Sequence, residues 1–342
     1  MEKHDTRPTI QDVAQIAGVS TATVSRTLQK PELVREKTRI AVQDAVRKTG
    51  YRINSAAQNL RRNRAGSVLV IVPDIGNTFF SEILLGIEQI ASEAGYTILI
   101  GDASKDGSRT EGLMDFLRNG KADGALLLNG YLPDQVISSL PTSDGGNIPV
   151  ISVCEAVPEA NIAHVGIDNK AAAKAAVDHL ITQGHQKIAH LSGPESNILT
   201  QLRIKGYETA MREAGLGDHI SILPGDFSIQ SGIDVIAQLL DKPARPTALF
   251  CANDEMAMGA AFGLTQAGLK VPDDLSLMGF DDIQFARTFI PPISTIHQPR
   301  SEIGKLAMHK LLKILNGEAI TQEHSNLEFS LIQRQSVRKI QT

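Results

Sequence analysis

The sequence predicts an α/β protein in which a small all-helical head precedes a two-lobed body of doubly wound parallel sheets. Three observations predict it. Residues 9–50 carry apolar positions at helical spacing, broken by a glycine and by capping hydroxyls. From Ser67 onward, short continuous apolar runs alternate with helical patterns, which is how βα units and parallel sheets read. The charge is also divided. Residues 1–66 hold 13 Lys and Arg against 6 Asp and Glu, whereas the remainder holds 21 against 32. A basic head on an acidic body points to a polyanion-binding module joined to a part that must avoid polyanions.

In the head, Thr9 is placed to cap a first helix with Asp12 in its first turn, where a carboxylate favours the positive helix end. Val13, Ile16 and Ala17 supply its apolar face, and Gly18 stops it. Ser20 then caps a second helix from Thr21 to about Leu28, with Val24 and Leu28 inward. Such a helix-turn-helix leaves Thr21, Ala22 and Arg26 outward, free to enter a DNA major groove. A helical subdomain without a nucleic-acid role is the competing reading of these residues alone. A third helix runs from about Glu36 to Thr49, with a core face of Ile40, Ala41, Val42 or Gln43, Ala45 and Val46, and ends at Gly50. The stretch Asn54 to Arg64 is short, polar and basic, and its helix needs a partner to order it. DNA can do so, with Leu60 as an apolar wedge in the minor groove; a packing contact on the body is the alternative.

In the body, strand Ser67–Pro73 is followed by helix Phe79–Ala94, strand Tyr96–Gly101, helix Thr110–Asn119, strand Ala125–Leu128, a short helix near Gln135–Leu140 and strand Val150–Val153. The alternation restarts at strand Ala163–Ile167, with helix Lys170–Gln183 and strand Ile188–Leu191. Helix Arg203–Ala214, strand Ile220–Leu223, helix Ser231–Leu240 and strand Ala248–Cys251 follow. Helix Glu255–Ala267, strand Leu275–Gly279, helix Ser301–Leu315 and strand Leu327–Leu331 complete the pattern. Two doubly wound halves in tandem suggest a cleft between lobes, with ligands beyond the carboxyl ends of the strands. The expected divisions are a head at 1–53, a hinge and linker at 54–66 and a body at 67–342. Within the body, one lobe takes about 67–166 and 298–328, the other about 167–297 and 329–342.

Several classes are disfavoured. No apolar run approaches the ~20 residues of a membrane span. The polar start Met1-Glu2-Lys3-His4-Asp5 has no signal-peptide core, so a cytoplasmic location is expected. Cys154 and Cys251 sit among apolar residues and read as buried thiols. No GxGxxG follows a strand, and neither Gly120-Lys121 nor Gly304-Lys305 continues into Ser or Thr, so no dinucleotide or phosphate loop is expected. His185 and His190 lack further ligands and read as structural. No catalytic set, cofactor or metal is expected. Asp254 and Asp281 suit hydroxyl recognition better than acid–base work.

The run Thr9-Ile10-x-Asp12-Val13-Ala14-x-x-Ala17-Gly18-Val19-Ser20-x-x-Thr23-Val24-Ser25-Arg26 resembles the head of LacI/GalR-type bacterial repressors. Thr38-Arg39, Gly50-Tyr51, Asn54 and Leu60 extend the likeness, and the body continues it at Asn77 to Phe80, Ile167 to Asn169, Gly193-Pro194, Asn253-Asp254 and Gly279 to Asp281. Within the family the chain is most similar to cytidine-responsive members and next to purine-responsive ones, through Val72 to Ile75, Gly225 to Phe227, Phe250-Cys251 and Pro299 to Gly304.

The resemblance implies a periplasmic-binding-protein-like body and a homodimer on a pseudo-palindromic DNA operator. A nucleoside effector such as cytidine is implied, and a second transcription regulator co-bound as in cytidine-responsive systems. A sugar or purine effector is the alternative, and a plain solute-binding protein the remaining competitor. Thr21, Ala22 and Arg26 would face bases, and Thr9, Ser20, Thr23 and Ser25 would cap helices and touch phosphates. Asn54, Ala57 and Leu60 would form the minor-groove hinge. Phe79, Phe80 and Phe227 would offer faces to a ring. Arg203, Asn253 and Asp281, with Asp168 and Asn197, would bind hydroxyls and polar ring atoms.

The chain departs from the family pattern in three places. Arg35 stands where the family usually has a capping Ser, and Ile53 where it has a hinge proline. Glu195 to Leu202 lacks the cation of the purine-responsive members, which argues against a purine bound in their way.

Overall fold

The computed structural model describes residues 8–51, 64–103, 109–130, 149–157, 162–241, 245–320 and 324–340. Asn54, Ala57, Leu60 and the helix expected near Gln135–Leu140 lie outside them. The chain divides into two compact units, Met1–Arg64 and Ala65–Thr342.

In the first unit, α1 (Ile10–Ala17), α2 (Thr21–Gln29) and α3 (Glu36–Thr49) enclose Val13, Ala14, Val24, Val42 and Ala45. Ile10, Ala17, Leu28, Val46 and Tyr51 pack around them. Two sequence expectations need correction. Ile16 and Ile40 are 53% and 49% exposed, respectively. The buried stripe of α1 runs through residues 10, 13, 14 and 17, and Ile16 falls beside it. On α3 the inward row contains Val42, Ala45 and Val46, which turns Ile40 outward.

In the second unit, β1 (Ser67–Val72), β2 (Thr97–Asp102), β3 (Gly124–Leu127), β4 (Val150–Val153), β5 (Ala163–Gly166) and β11 (His324–Asn326) form a parallel sheet in the order β11-β5-β4-β3-β1-β2. All of β1 is buried. Val68, Val70 and Val72 pack into the main core, while Leu69 and Ile71 join a cluster with Met114 and Leu117. That two-sided burial is why β1 reads as a continuous apolar run. The second parallel sheet has the order β7-β6-β8-β9 and contains β6 (Ile188–Leu191), β7 (Ser221–Leu223), β8 (Ala248–Cys251) and β9 (Ser276–Met278). β10 (Thr295–His297) pairs antiparallel with β12 (Ser330–Ile332).

Helices flank both sheets. α4 (Phe79–Glu93), α5 (Thr110–Arg118) and α11 (Arg300–Leu315) accompany the first. α6 (Asn169–Thr182), α7 (Ile198–Glu213), α8 (Ile229–Leu240), α9 (Asp254–Gln266) and the short α10 (Gln284–Thr288) accompany the second. α4 and α11 cross so closely that a Cβ at Gly86 would lie 2.2 Å from the Ser301 carbonyl oxygen. This crossing fixes the start of α4, and with it Phe79 and Phe80.

The strand at 163–166 lies inside the first sheet, with β4 and β11 paired on either side of it, and the alternation that builds the second sheet follows it. In place of one strand at Leu327–Leu331 there are two short ones, β11 just before it, paired with β5, and β12 over its end, paired with β10. The chain changes sheets there, so no continuous ladder forms. α7 begins five residues before the expected Arg203, because the Asn197 side chain accepts from the backbone N–H groups of Leu199 (2.8 Å) and Thr200 (3.3 Å). Among the described residues, no helix is long and apolar enough to cross a membrane.

Candidate DNA-reading helix and effector cavity

The head positions α2 by two caps. At α1, the Thr9 N–H donates to Asp12 Oδ2 at 2.7 Å and the Asp12 N–H to Thr9 Oγ1 at 3.4 Å, a reciprocal capping box. Hydrogen bonds from the Thr9 backbone and hydroxyl hold the Asp12 carboxyl below the usual range. Gly18 turns the chain at φ 66°, and Ser20 Oγ accepts from the Thr23 N–H at 3.2 Å to start α2. Ser20 Oγ also lies 2.9 Å from Thr23 Oγ1. Val24 and Thr27 are buried, which turns Thr21, Ala22 and Arg26 outward as one exposed face, with Ser25 half-buried beside it. No side chain caps the start of α3 at Arg35.

In the second unit, a cavity of about 780 Å³ opens between the two sheets, within the size range of small-molecule sites. Phe79, Phe80, Asn197, Arg203, Phe227, Asn253 and Asp281 all line it, seven of the eight residues expected for an effector. The eighth, Asp168, is a correction. It is exposed and off the cavity, and its Oδ1 accepts from the Ala171 N–H at 2.9 Å as the cap of α6. A β-strand end before a helix supplies the same residue type for either job.

The polar groups of the cavity are held before any ligand arrives. Arg203 Nε donates to Asn169 Oδ1 at 3.0 Å, and Nη1 donates to the Ala252 carbonyl. Its guanidinium lies 3.8 Å from the centre of the Phe280 ring, and Nη2 lies 3.8 Å from Asp281 Oδ1. Asp281 sits at φ 110° and accepts from Gln298 Nε2 at 2.8 Å. Burial pushes its carboxyl up to about 6, against the opposing pull of Arg203 and Arg300. Asn253 caps α9 through Oδ1 (Met256 N–H, 2.8 Å) and donates from Nδ2 to the Phe227 carbonyl at 2.9 Å. Phe79 and Phe80 meet edge-to-face with ring centres 5.1 Å apart.

Behind the wall, Asp254 is wholly buried, accepting from Thr295 Oγ1 at 2.6 Å and the Ile283 N–H at 2.9 Å; burial raises its pKa well above normal. Asp282 follows Asp281 directly and gathers Arg334, Arg287 and His297 around its carboxylate. Burial opposes ionisation there, yet the hydrogen bonds from Arg334 and Arg287 bring its pKa below the ordinary value. Arg300 joins the two lobes: Nη1 donates to the Phe79 carbonyl at 3.3 Å, and Nη2 to the Asp282 carbonyl at 3.0 Å.

Sequence reading missed Glu155. It lines the cavity, and its carboxylate accepts from the Gly130 N–H at 2.6 Å and from Asn197 Nδ2 at 3.1 Å, so a first-lobe acid meets a second-lobe amide across the cleft. Burial raises its pKa, while these two hydrogen bonds pull the other way. The available signal was its position just beyond the apolar strand Val150–Val153, where parallel sheets bind ligands. Cys154, buried and at φ 64°, lines the cavity next to it. His185 and His190 serve packing. His185 bonds Thr247 and the Arg338 carbonyl, and His190 stacks on Phe250 at 4.7 Å.

Two family patterns match the chain: bacterial regulatory proteins of the lacI family over residues 9–54, and a periplasmic binding protein-like domain over residues 177–337. The chain is 41% identical over 344 residues to the HTH-type transcriptional repressor CytR of Escherichia coli (strain K12), covering 99% of each. It is 33% identical over 333 residues to the Ribose operon repressor of the same organism, covering 96% of this chain and 99% of that one. The crystal structure of the lac repressor dimer bound to operator and the anti-inducer ONPF superposes with a TM-score of 0.83 at 28% identity, over 97% of this chain and 100% of that one. With the helix-turn-helix and the cleft already in place, these likenesses show that the chain belongs to the LacI family and is a DNA-binding transcriptional repressor of that type, not an enzyme.

Proposed function

We propose that the effector is a nucleoside, with cytidine preferred, and that its binding in the cavity controls a cytoplasmic homodimer on a pseudo-palindromic operator. The observation that carries this reading is the pairing of ring faces (Phe79, Phe80, Phe227) with hydroxyl-reading groups (Arg203, Asp281) in one cavity. A flat base takes the aromatic faces, and vicinal hydroxyls suit the fork of Arg203 and the acceptors of Asp281. The wall sets Asp74, Asp226, Glu255 and Asp281 against the cation Arg203, an excess of carboxyl groups that disfavours a phosphorylated ligand. The 41% identity to CytR supports the same assignment.

A pentose alone is the second reading, favoured by the likeness to the Ribose operon repressor and to a LacI-family regulator from Enterococcus faecium solved with bound ribose (TM-score 0.72, 28% identity, 80% of this chain and 100% of that one). Thermal unfolding with cytidine, uridine, adenosine, ribose or cytosine separates the two, because a ligand that binds the folded state raises its midpoint. A shift with cytidine and none with ribose is the expected result; a shift with ribose alone overturns the nucleoside reading.

On the DNA side, Thr21, Ala22 and Arg26 read bases in the major groove, and Ser20, Thr23 and Ser25 position the helix on phosphates, with Thr9 capping α1. Leu60, with Asn54 and Ala57, forms the minor-groove hinge. A co-bound second regulator is part of this proposal. Arg26→Ala is expected to cost about 1–3 kcal/mol in operator binding, the range for one bidentate base contact. Random DNA should lose less; equal losses on both would remove Arg26 from base reading.

A further inference from the structure

Phe227 is fixed at three points. Its backbone lies in the left-handed region at φ 66°, a conformation that disfavours a bulky side chain and persists only where the surroundings impose it. Its carbonyl accepts from Asn253 Nδ2 at 2.9 Å. The tip of its ring rests over Gly193: a Cβ built there would lie 2.2 Å from Phe227 Cζ, 2.5 Å from Cε1 and 2.5 Å from Thr200 Oγ1. Gly193 is not among the glycines with positive φ, so its backbone would accept an alanine. Space, not conformation, demands a glycine. Thr200 is 1% exposed on α7, and its Oγ1, which has no hydrogen-bond partner among the described residues, fills space next to the ring tip.

We infer that Gly193 is a positioning residue for effector binding: it leaves the notch that seats the Phe227 ring against the cavity in the pose a flat ligand meets. The inference rests on the proposed ring-bearing effector. Gly193 does not line the cavity, and it acts through the ring. A ring already seated loses little freedom when the ligand arrives, so the notch contributes to affinity by preorganisation. An added methyl at 193 meets the ring and the Thr200 side chain together and must tilt the ring into the cavity or out of it.

The test uses the full-length protein with Gly193→Ala, Phe227→Leu and the double variant, titrated with cytidine by calorimetry. Gly193→Ala is expected to weaken cytidine at least tenfold in the parent and less than twofold in the Phe227→Leu background, since the ring lines the cavity and Thr200, which the methyl also meets, does not. Equal losses in both backgrounds, or no loss in the parent, overturn the inference. If Gly193→Ala alone fails to fold, folding of the double variant supports the clash, and failure of both overturns it. A second readout needs no ligand. The Phe227 ring resonance of phenylalanine-labelled protein, identified by its loss in Phe227→Leu, should move on Gly193→Ala. An unmoved resonance overturns the inference even if cytidine does not bind, whereas a moved resonance without cytidine binding condemns only the nucleoside reading.

Discussion

The head and the body place their functional side chains in opposite ways. In the head, a core of Val13, Ala14, Val24, Val42 and Ala45 stands behind a helix whose Thr21, Ala22 and Arg26 face solvent. In the body, Arg203, Asn253 and Asp281 are buried, and each is bonded to backbone or side chains before a ligand enters. The difference follows from the kind of partner. A duplex arrives as a large surface, and an outward helix needs only the right spacing and charge. A small ligand is surrounded, so its groups must be preorganised in a partly dry site, where charges are costly unless paired. Substitutions in the two regions should therefore differ in cost and in what they disturb.

The largest effect is expected for Arg203→Ala. It leaves the Asp281 carboxyl and the face of Phe280 without the guanidinium, and removing one member of a buried charge pair costs about 3–5 kcal/mol. Calorimetry should show the body transition lowered and the effector response lost, with the head transition in place. A body as stable as the parent would remove the buried-charge half of the comparison.

Next is the pH dependence set by Asp281. Burial pushes its carboxyl up to about 6 in the folded chain, from an ordinary value of 3.8. The raised value means that ionisation opposes folding. Below about pH 4 the group is neutral in both states and the penalty is absent. It grows as pH rises through the window from 4 to 6, and at pH 7.5 it amounts to about 3 kcal/mol, two pKa units at 1.36 kcal/mol each. Whatever fixed cost the loss of Arg203's counter-charge adds, the midpoint of Asp281→Asn relative to the parent should therefore rise between pH 4 and pH 7.5, while effector response is lost throughout. A pH-independent difference would place the carboxyl in a wetter site than the structure gives it.

The smallest effect sharpens the head. No side chain caps α3 at Arg35, so Arg35→Ser should stabilise the head by about 0.5–2 kcal/mol and leave the body transition unmoved. A small core makes even this gain visible. If operator affinity falls at the same time, Arg35 also touches a phosphate.

Much of this was legible along the chain because it rests on local chemistry. Thr9, Gly18, Ser20 and Gly50 mark helix ends through bonds or backbone conformations within a few residues. Buried strands such as Ser67–Val72 announce themselves as apolar runs. Asp168 is ambiguous along the chain because a capping aspartate and a ligand-binding one look alike in sequence, and only the direction of its side chain separates them. Ile16 and Ile40 read as inward because short helices carry two adjacent apolar stripes, and only the packing of the three helices decides which is covered.

By itself, then, the sequence determined the helix-turn-helix, the division into basic head and acidic body, the βα alternation and most of the residues that meet in the cavity. Periodicity, caps and charge act over one or two turns of chain, and all of them are visible in one dimension. The tertiary structure alone decided that Glu155 reaches Asn197 across the cleft, and that Gly193 must be small for Phe227 to sit where it does. These depend on atoms 34 to 42 positions apart in sequence meeting within a few ångströms. Such meetings are set by how the layers pack, which no local pattern encodes.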